Sequence, residues 1–283
     1  MALNPDAAGK KTEPVEHPYD WQDAALYALG IGASADQLDF LYEKRGPKVF
    51  PTFAVVPAFE VNRKLFDVVG GDLSGVVHGA QKITLHAPFP PKTKLVTVGE
   101  VVGVYDLKRM AQSVVRTETR DGDGTLLAET EWTIMYLKDG GYGGEAPPRS
   151  PKIRPPEREA DWRVEGATSA EQAILYRLGG HDYNPLHIDP EAAMKAEKVT
   201  QGRPILHGLC TYGYIGRAIL EQECGGDPSK LKTFYGRFSK PIWPGETIVT
   251  EGWREDGRVV VRASTLERPD EHIFTNAYAE ISG

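Results

Sequence analysis

ILHGLCTYGYIGRAILEQEC, residues 205 to 224, places Leu209, Tyr212, Ile215, Gly216 and Ile219 at the spacing of a buried helix. A buried helix needs a surround, and the sequence on its C-terminal side supplies one. SKPIWPGETIVTEGW (239 to 253) has a Pro-x-x-Pro step from Pro241 to Pro244 followed by an alternating β-branched run. Two further strand-like segments, GRVVVRASTLE and HIFTNAYAEIS, come after it with turn residues between them. Upstream, QAILYRLG (172 to 179) has apolar residues at helical spacing. This half of the chain therefore reads as helices followed by an antiparallel meander.

The other half repeats the pattern. QDAALYALG (22 to 30) answers the upstream helix, and HAPFPPKTKLVTVGEV (86 to 101) answers the Pro-x-x-Pro step with Pro88 and Pro91. QSVVRTET and LLAETEWTIMYL then complete a second meander. The copies differ at the long helix. TFAVVPAFEVNRKLFDVVGGDLSGVV (52 to 77) contains Pro57 and the pair Gly70 and Gly71, which are expected to interrupt a long helix and leave an apolar trough for a bulky ligand. The predicted organisation is a flexible segment at 1–18, a first repeat at 19–137, a Gly/Pro-rich linker at 138–160 and a second repeat at 161–283.

With 283 residues, either repeat can bury a core without disulfides, and Cys210 and Cys224 form no disulfide framework or zinc-ligand pattern. Composition is 40% hydrophobic and 26% charged, and no apolar run approaches the ~20 residues of a membrane span. A net charge of -7 argues against nonspecific nucleic-acid binding. The polar N-terminus lacks the apolar centre of a signal peptide, and Ile281-Ser282-Gly283 is not a Ser-Lys-Leu type peroxisomal address. A cytoplasmic location is the expectation.

Chemistry concentrates in GGHDYNPLHID, residues 179 to 189. Asp189 before Pro190 suits a helix N-cap with proline at the first helical position. That leaves Asp182, Asn184 and His187. A metal site would need a third strong ligand, and the sequence offers no reason to place His207 there. A surface turn is the bland alternative. In the catalytic reading, a carboxylate and an imidazole five positions apart converge on one water molecule, on a segment stiffened by Pro185.

The run from Tyr176 to Pro190, together with PILHGLCTYG (204 to 213), YALGIGA (27 to 33) and VVHGAQ (76 to 81), resembles the MaoC-like, type 2 (R-specific) enoyl-CoA hydratases across nearly the whole chain. The resemblance implies an α+β double hot-dog, two antiparallel sheets each wrapping a helix, with the helix degenerate in the first half. It implies one active site per chain, because GIGASADQLDF (30 to 40) stands where the second half has the acidic and basic residues. The implied reaction is reversible hydration of a trans-2-enoyl-CoA to the (3R)-3-hydroxyacyl-CoA, a step of fatty-acid β-oxidation, without a cofactor or metal.

By the same resemblance, Asp182 and His187 hold the water, Asn184 fixes their geometry, and Gly208 presents a backbone N–H to the thioester oxygen. His78, Gly79, Lys108 and Phe238 contact the acyl-CoA, and Glu43 lies near the site as a supporting acid. A homodimer is also implied. Other readings stay open: a biosynthetic dehydratase on another acyl thioester, a noncatalytic acyl-thioester binding module, and a hot-dog thioesterase.

Overall fold

The computed structural model describes residues 2–150 and 152–282; Met1, Pro151 and Gly283, the last of the C-terminal tripeptide, lie outside the described residues. In chain order the first half comprises β1 (Val15–Tyr19), α1 (Trp21–Gly30), α2 (Val55–Val69), β2 (Val76–Leu85), β3 (Thr93–Asp106), β4 (Ala111–Arg120) and β5 (Leu126–Tyr136). The second half comprises β6 (Trp162–Ala167), α3 (Gln172–Gly179), α4 (Pro190–Lys195), α5 (Glu197–Thr200), α6 (Gly208–Cys224), β7 (Leu231–Phe238), β8 (Thr247–Glu255), β9 (Arg258–Thr265) and β10 (Phe274–Ile281). Among the described residues, 138–160 carry no helix or strand.

Strand order is β1-β3-β4-β5-β2-β7-β10-β9-β8-β6, so the second half mirrors the first about the β2–β7 junction. There the strands pair antiparallel, with Gln81 opposite Gly236 and Ile83 opposite Phe234. The two sheets expected from the sequence are thus one continuous ten-stranded sheet. Fusing them at the middle removes two exposed sheet edges, the part of a sheet most prone to unwanted pairing. The α+β double hot-dog expectation is met.

The long helix α6 sits in the fold's interior, with Leu209, Tyr212, Ile215 and Ile219 all at most 3% exposed. Each such side chain contributes about 1.5–3 kcal/mol through removal from water. First-half residues press against it where it has no side chains. A Cβ on Gly213 would lie 2.2 Å from Ile31, and one on Gly216 would lie 2.5 Å from Thr52.

Two expectations need correction. Residues 55–69 form an uninterrupted helix, α2, because Pro57 falls in its first turn, where a backbone N–H has no intrahelical partner to lose. Gly70, at φ 70°, ends the helix rather than breaking it. Val61 and Leu65 of α2 are fully buried, and α2 packs on β3 and β4, so the first-half sheet is covered and no trough is left by a missing helix. The N-terminal segment is also docked rather than free. Gly9 and Thr12 donate to the carbonyls of Val101 and Gly99, Ala7 is fully buried, and β1 begins at Val15 alongside β3.

The short helices α1 and α3 cross backbone to backbone. A Cβ on Gly179 would meet the Cα and N of Tyr27 at 2.7 Å, and one on Gly30 would meet the Cα of Tyr176 at 3.2 Å. Backbone cannot yield as a side-chain tip can. Gly179→Ala is therefore expected to destabilise the fold by about 1–3 kcal/mol, read as a lowered urea midpoint at unchanged m-value. A midpoint equal to that of the parent protein would show that the crossing is not tight. This crossing matters because α3 leads straight into the segment that carries Asp182 and His187.

Candidate active site

Helix α3 stops at Gly179, and His181 takes a left-handed conformation (φ 55°) that turns Asp182 inward. Asp182 is 9% exposed, and its Oδ1 accepts from the N–H of Asn184 at 3.1 Å. Asn184 in turn caps the short turn Pro185–His187: its Oδ1 accepts from the N–H of Leu186 at 3.1 Å. Asn184 thus ties together the backbone between Asp182 and His187. Two residues on, Asp189 accepts from the N–H of Glu191 and Pro190 opens α4. Asp182, Asn184, His187 and Asp189 each have a hydrogen-bonding task; Tyr183 lies under the Arg177 guanidinium, and the His181 ring lies 5.2 Å from that of His17 on β1.

One carboxylate oxygen of Asp182 and one ring nitrogen each of His187 and His207 all lie within 4.8 Å of one another. A water hydrogen-bonded to two groups spans about twice 2.8 Å, so one oxygen atom can touch both Asp182 and His187. The Nδ1–H of His187 donates to the carbonyl of Ile205 at 2.9 Å, which leaves Nε2 with a free lone pair in the neutral ring. Burial holds the Asp182 carboxyl above its ordinary pKa, against the opposing pull of His187, the Asn184 N–H and Arg177. Burial likewise pushes His187 below the usual imidazole value, although Asp182 and the Ile205 hydrogen bond oppose it. The two shifts run toward each other, which narrows the gap in proton affinity between the carboxyl and the imidazole.

Gly208 is the first residue of α6, and no side chain caps this helix start. Among the described residues, no acceptor is recorded for the Gly208 N–H. An uncapped N-terminus leaves free donors and a positive dipole end next to Asp182 and His187. The ring of Phe238, at the end of β7, lies over this point: a Cβ built on Gly208 would stand 3.5 Å from it. His78 packs 4.8 Å from Phe238 and stacks on Trp132 at 5.0 Å, on a bulge of β2 at Gly79. Its Nε2–H donates to the Ala80 carbonyl, and burial pushes its pKa down to about 4, so it is neutral. These aromatic residues form the apolar wall opposite the helix start.

Other expected residues sit further off. Lys108 is at the tip of the β3–β4 turn (φ 70°), at the sheet end shared with His78 and Phe238, and makes no ion pair among the described residues. Glu43 is not brought to the site. It is exposed in a turn whose neighbours Gln37 and Lys48 bond to Glu221 and the Gly226 carbonyl at the C-terminal end of α6. Gly208 and Cys224 are the two ends of this 17-residue helix, about 24 Å apart at 1.5 Å per residue.

Sequence reasoning missed His207, 25 positions from Asp182 yet hydrogen-bonded to it and fully buried. Its position directly before Gly208, at the start of the buried helix, was the available signal. The resulting Asp–His–His cluster has the composition of a metal site, but its geometry does not suit one. The two imidazoles stack with centroids 3.8 Å apart and planes 27° apart, so their lone pairs lie in separate, nearly parallel planes, a poor start for two ligands of one tetrahedral ion. A cavity of about 500 Å³ lies elsewhere, between Ile153–Arg158 and the face of β9 and β10; two of its arginines, Arg158 and Arg262, are already paired with carboxylates.

Fold and site together define a double hot-dog with a buried carboxylate and imidazoles side by side in one repeat and an apolar wall from the junction. Comparison with known proteins agrees: the MFE-2 hydratase 2 N-terminal domain matches residues 17–137 and the MaoC like domain matches residues 152–275. The chain is 39% identical to the 3-hydroxyacyl-thioester dehydratase Y of Mycobacterium tuberculosis, over 93% of this chain and 91% of that protein. It is 37% identical to the peroxisomal enoyl-CoA hydratase 2 of Arabidopsis thaliana, over 91% and 89% of the two. The crystal structure of a MaoC-like dehydratase from Phytophthora capsici superposes with a TM-score of 0.87 at 31% identity, covering 99% of this chain and 98% of that one. The chain belongs to the two-repeat, MaoC-like hydratase 2 family.

Proposed function

We propose that the protein adds water across the double bond of a trans-2-enoyl-CoA to give the (3R)-3-hydroxyacyl-CoA, and catalyses the reverse reaction. One observation carries the reading: a buried carboxylate and a neutral imidazole within reach of one water, beside an uncapped helix N-terminus. The water is gripped by Asp182 and His187. Its oxygen bonds to C3 as the pair takes one of its protons, the C2–C3 π electrons move toward the thioester, and the pair returns a proton to C2. Both additions come from one face because both groups lie on one side of the alkene. Negative charge developing on the thioester oxygen meets the Gly208 N–H and the dipole of α6.

No redox step or external proton is required, and the atoms balance as substrate plus water. Phe238, His78 and Trp132 supply an apolar wall for the acyl portion, and Lys108 offers a cation for the phosphates of coenzyme A. The names of the relatives, hydratase and thioester dehydratase, describe one reaction in its two directions. The reading includes a cytoplasmic homodimer; light scattering should return twice 31.1 kDa. Among the described residues no helix is long and apolar enough to cross a membrane.

The test follows loss of conjugated-enoyl absorbance with short, long and bulky trans-2-enoyl-CoA substrates, with chiral analysis of the product. Turnover to the 3R alcohol that vanishes in His187→Ala supports the reading. Release of free coenzyme A instead of a hydroxyacyl thioester would assign a thioesterase.

A further inference from the structure

The hydration chemistry above makes no use of His207, although no residue of the cluster is more deeply enclosed: it is 0% exposed. Its Nε2 lies 3.2 Å from the backbone carbonyl oxygen of Asp182. A carbonyl only accepts, so Nε2 carries the hydrogen, and Nδ1 of the neutral ring is a bare acceptor without a partner among the described residues. One face of the ring stacks on His187 at 3.8 Å; Tyr176 of α3 packs against it at 5.0 Å. The groups that bear on its charge are His187, Arg177 and Asp182, and burial with the adjacent imidazole keeps it well below the ordinary histidine pKa. The next peptide bond in the chain presents the Gly208 N–H.

We propose that His207 is a positioning residue that locks the acid, the base and the thioester donor into one rigid unit: its N–H holds the Asp182 backbone, its ring face sets the plane of His187, and its own peptide aims Gly208. This rests on the hydratase reading and deepens it. The physical argument is geometric. Asp182 and His187 stand on an irregular segment, which by itself is less rigid than a helix, whereas His207 is anchored at the first turn of the buried helix α6 through the Thr211 N–H bond to its carbonyl. A bond from the helix start to the segment transfers that rigidity to the reacting groups. Because it stays neutral and touches no reacting atom in this arrangement, its effect falls on alignment rather than on proton transfer. A misplacement of about 1 Å in such a constellation costs about 100-fold in rate.

Two variants separate the contributions. His207→Phe keeps a ring of similar size against His187 but loses the N–H; His207→Gln restores an N–H donor at similar reach but loses the ring. His207→Phe is expected to lower kcat about 10- to 100-fold with KM changed by less than about threefold, since alignment and not binding is lost. His207→Gln is expected to recover at least about threefold of that kcat loss. Wild-type kcat in His207→Phe, or a Gln variant no better than Phe, overturns the proposal. Should either variant fail to fold, ring ¹⁵N spectra of the wild-type protein decide. They are expected to show His207 neutral with the hydrogen on Nε2 at neutral pH, and a doubly protonated or Nδ1–H ring overturns the proposal. Asp182→Asn is the separate benchmark: if it stays active the hydratase reading fails, whereas an inactive Asp182→Asn beside an unaffected His207→Phe rejects only the positioning role.

Discussion

Asp182→Asn is expected to lose about 10²- to 10⁴-fold in kcat/KM and, at neutral pH, to be more stable than the parent protein. The first half follows from removing a group that takes and returns a proton while keeping its shape. Asn still offers an oxygen to the Asn184 N–H, so the local fold survives. The second half follows from the burial that raises the Asp182 pKa. A raised folded pKa means that the folded state binds the proton more tightly than the unfolded one. That stabilisation is complete below the unfolded value of about 3.8 and is lost as pH climbs through the folded value. Above it, the wild-type protein carries a buried carboxylate at a cost that neutral Asn avoids. Each tenfold preference for the protonated form corresponds to about 1.4 kcal/mol.

Urea denaturation of both proteins at about pH 4 and pH 8 therefore distinguishes a functional carboxylate from a structural one. The expected advantage of the variant is larger at the higher pH. His187 has the opposite sign: its lowered pKa supplies stability that is present above the unfolded value of about 6.5 and lost as pH falls toward the folded value. Comparing mutant with parent within one pH removes most of that contribution; what remains is the loss of the Asp182 charge that opposes the lowering of the His187 pKa. An Asp182→Asn protein that is less stable at pH 8 than at pH 4 relative to wild type would mean that the carboxylate is held by attraction rather than tolerated for chemistry.

Local pattern made part of this site readable. Apolar spacing marked α1, α3 and α6, alternation marked β3, β4, β5, β8, β9 and β10, and the five-residue interval from Asp182 to His187 lies on one continuous segment, so chain neighbours remain spatial neighbours. What failed depends on position within an element or on long-range contact. Pro57 breaks a helix in its middle and is harmless in its first turn, and the pattern did not show where α2 starts. The pairing of β2 with β7 joins segments some 150 residues apart, and neither carries a local mark of its partner. His207 reaches Asp182 only because the start of α6 folds back on the end of α3. Glu43 was placed by resemblance alone, and the chain around it is tied to the far end of α6 by Gln37 and Lys48.

Gly208→Ala is expected to fold as well as the parent protein and to lose about 10²- to 10³-fold in kcat/KM, the scale of a lost oxyanion donor. The added methyl stands 3.5 Å from the Phe238 ring, an ordinary contact, so nothing in the folded protein resists it. Alanine is also the better helix former, by up to about 1 kcal/mol. Stability should be unchanged or slightly higher. A thioester whose oxygen is to reach the Gly208 N–H must, however, pass through the space the methyl takes, between the helix start and the aromatic wall. Activity and stability therefore part company, which a merely structural glycine would not allow. A Gly208→Ala protein with full activity places the thioester elsewhere, and the developing charge would then need another donor. Loss of stability in step with activity would instead make Gly208 a packing glycine. Replacement of Phe238 by Leu tests the other wall of the same slot: it leaves the N–H and the space beside it untouched, so it should raise KM for acyl-CoA with little change in kcat.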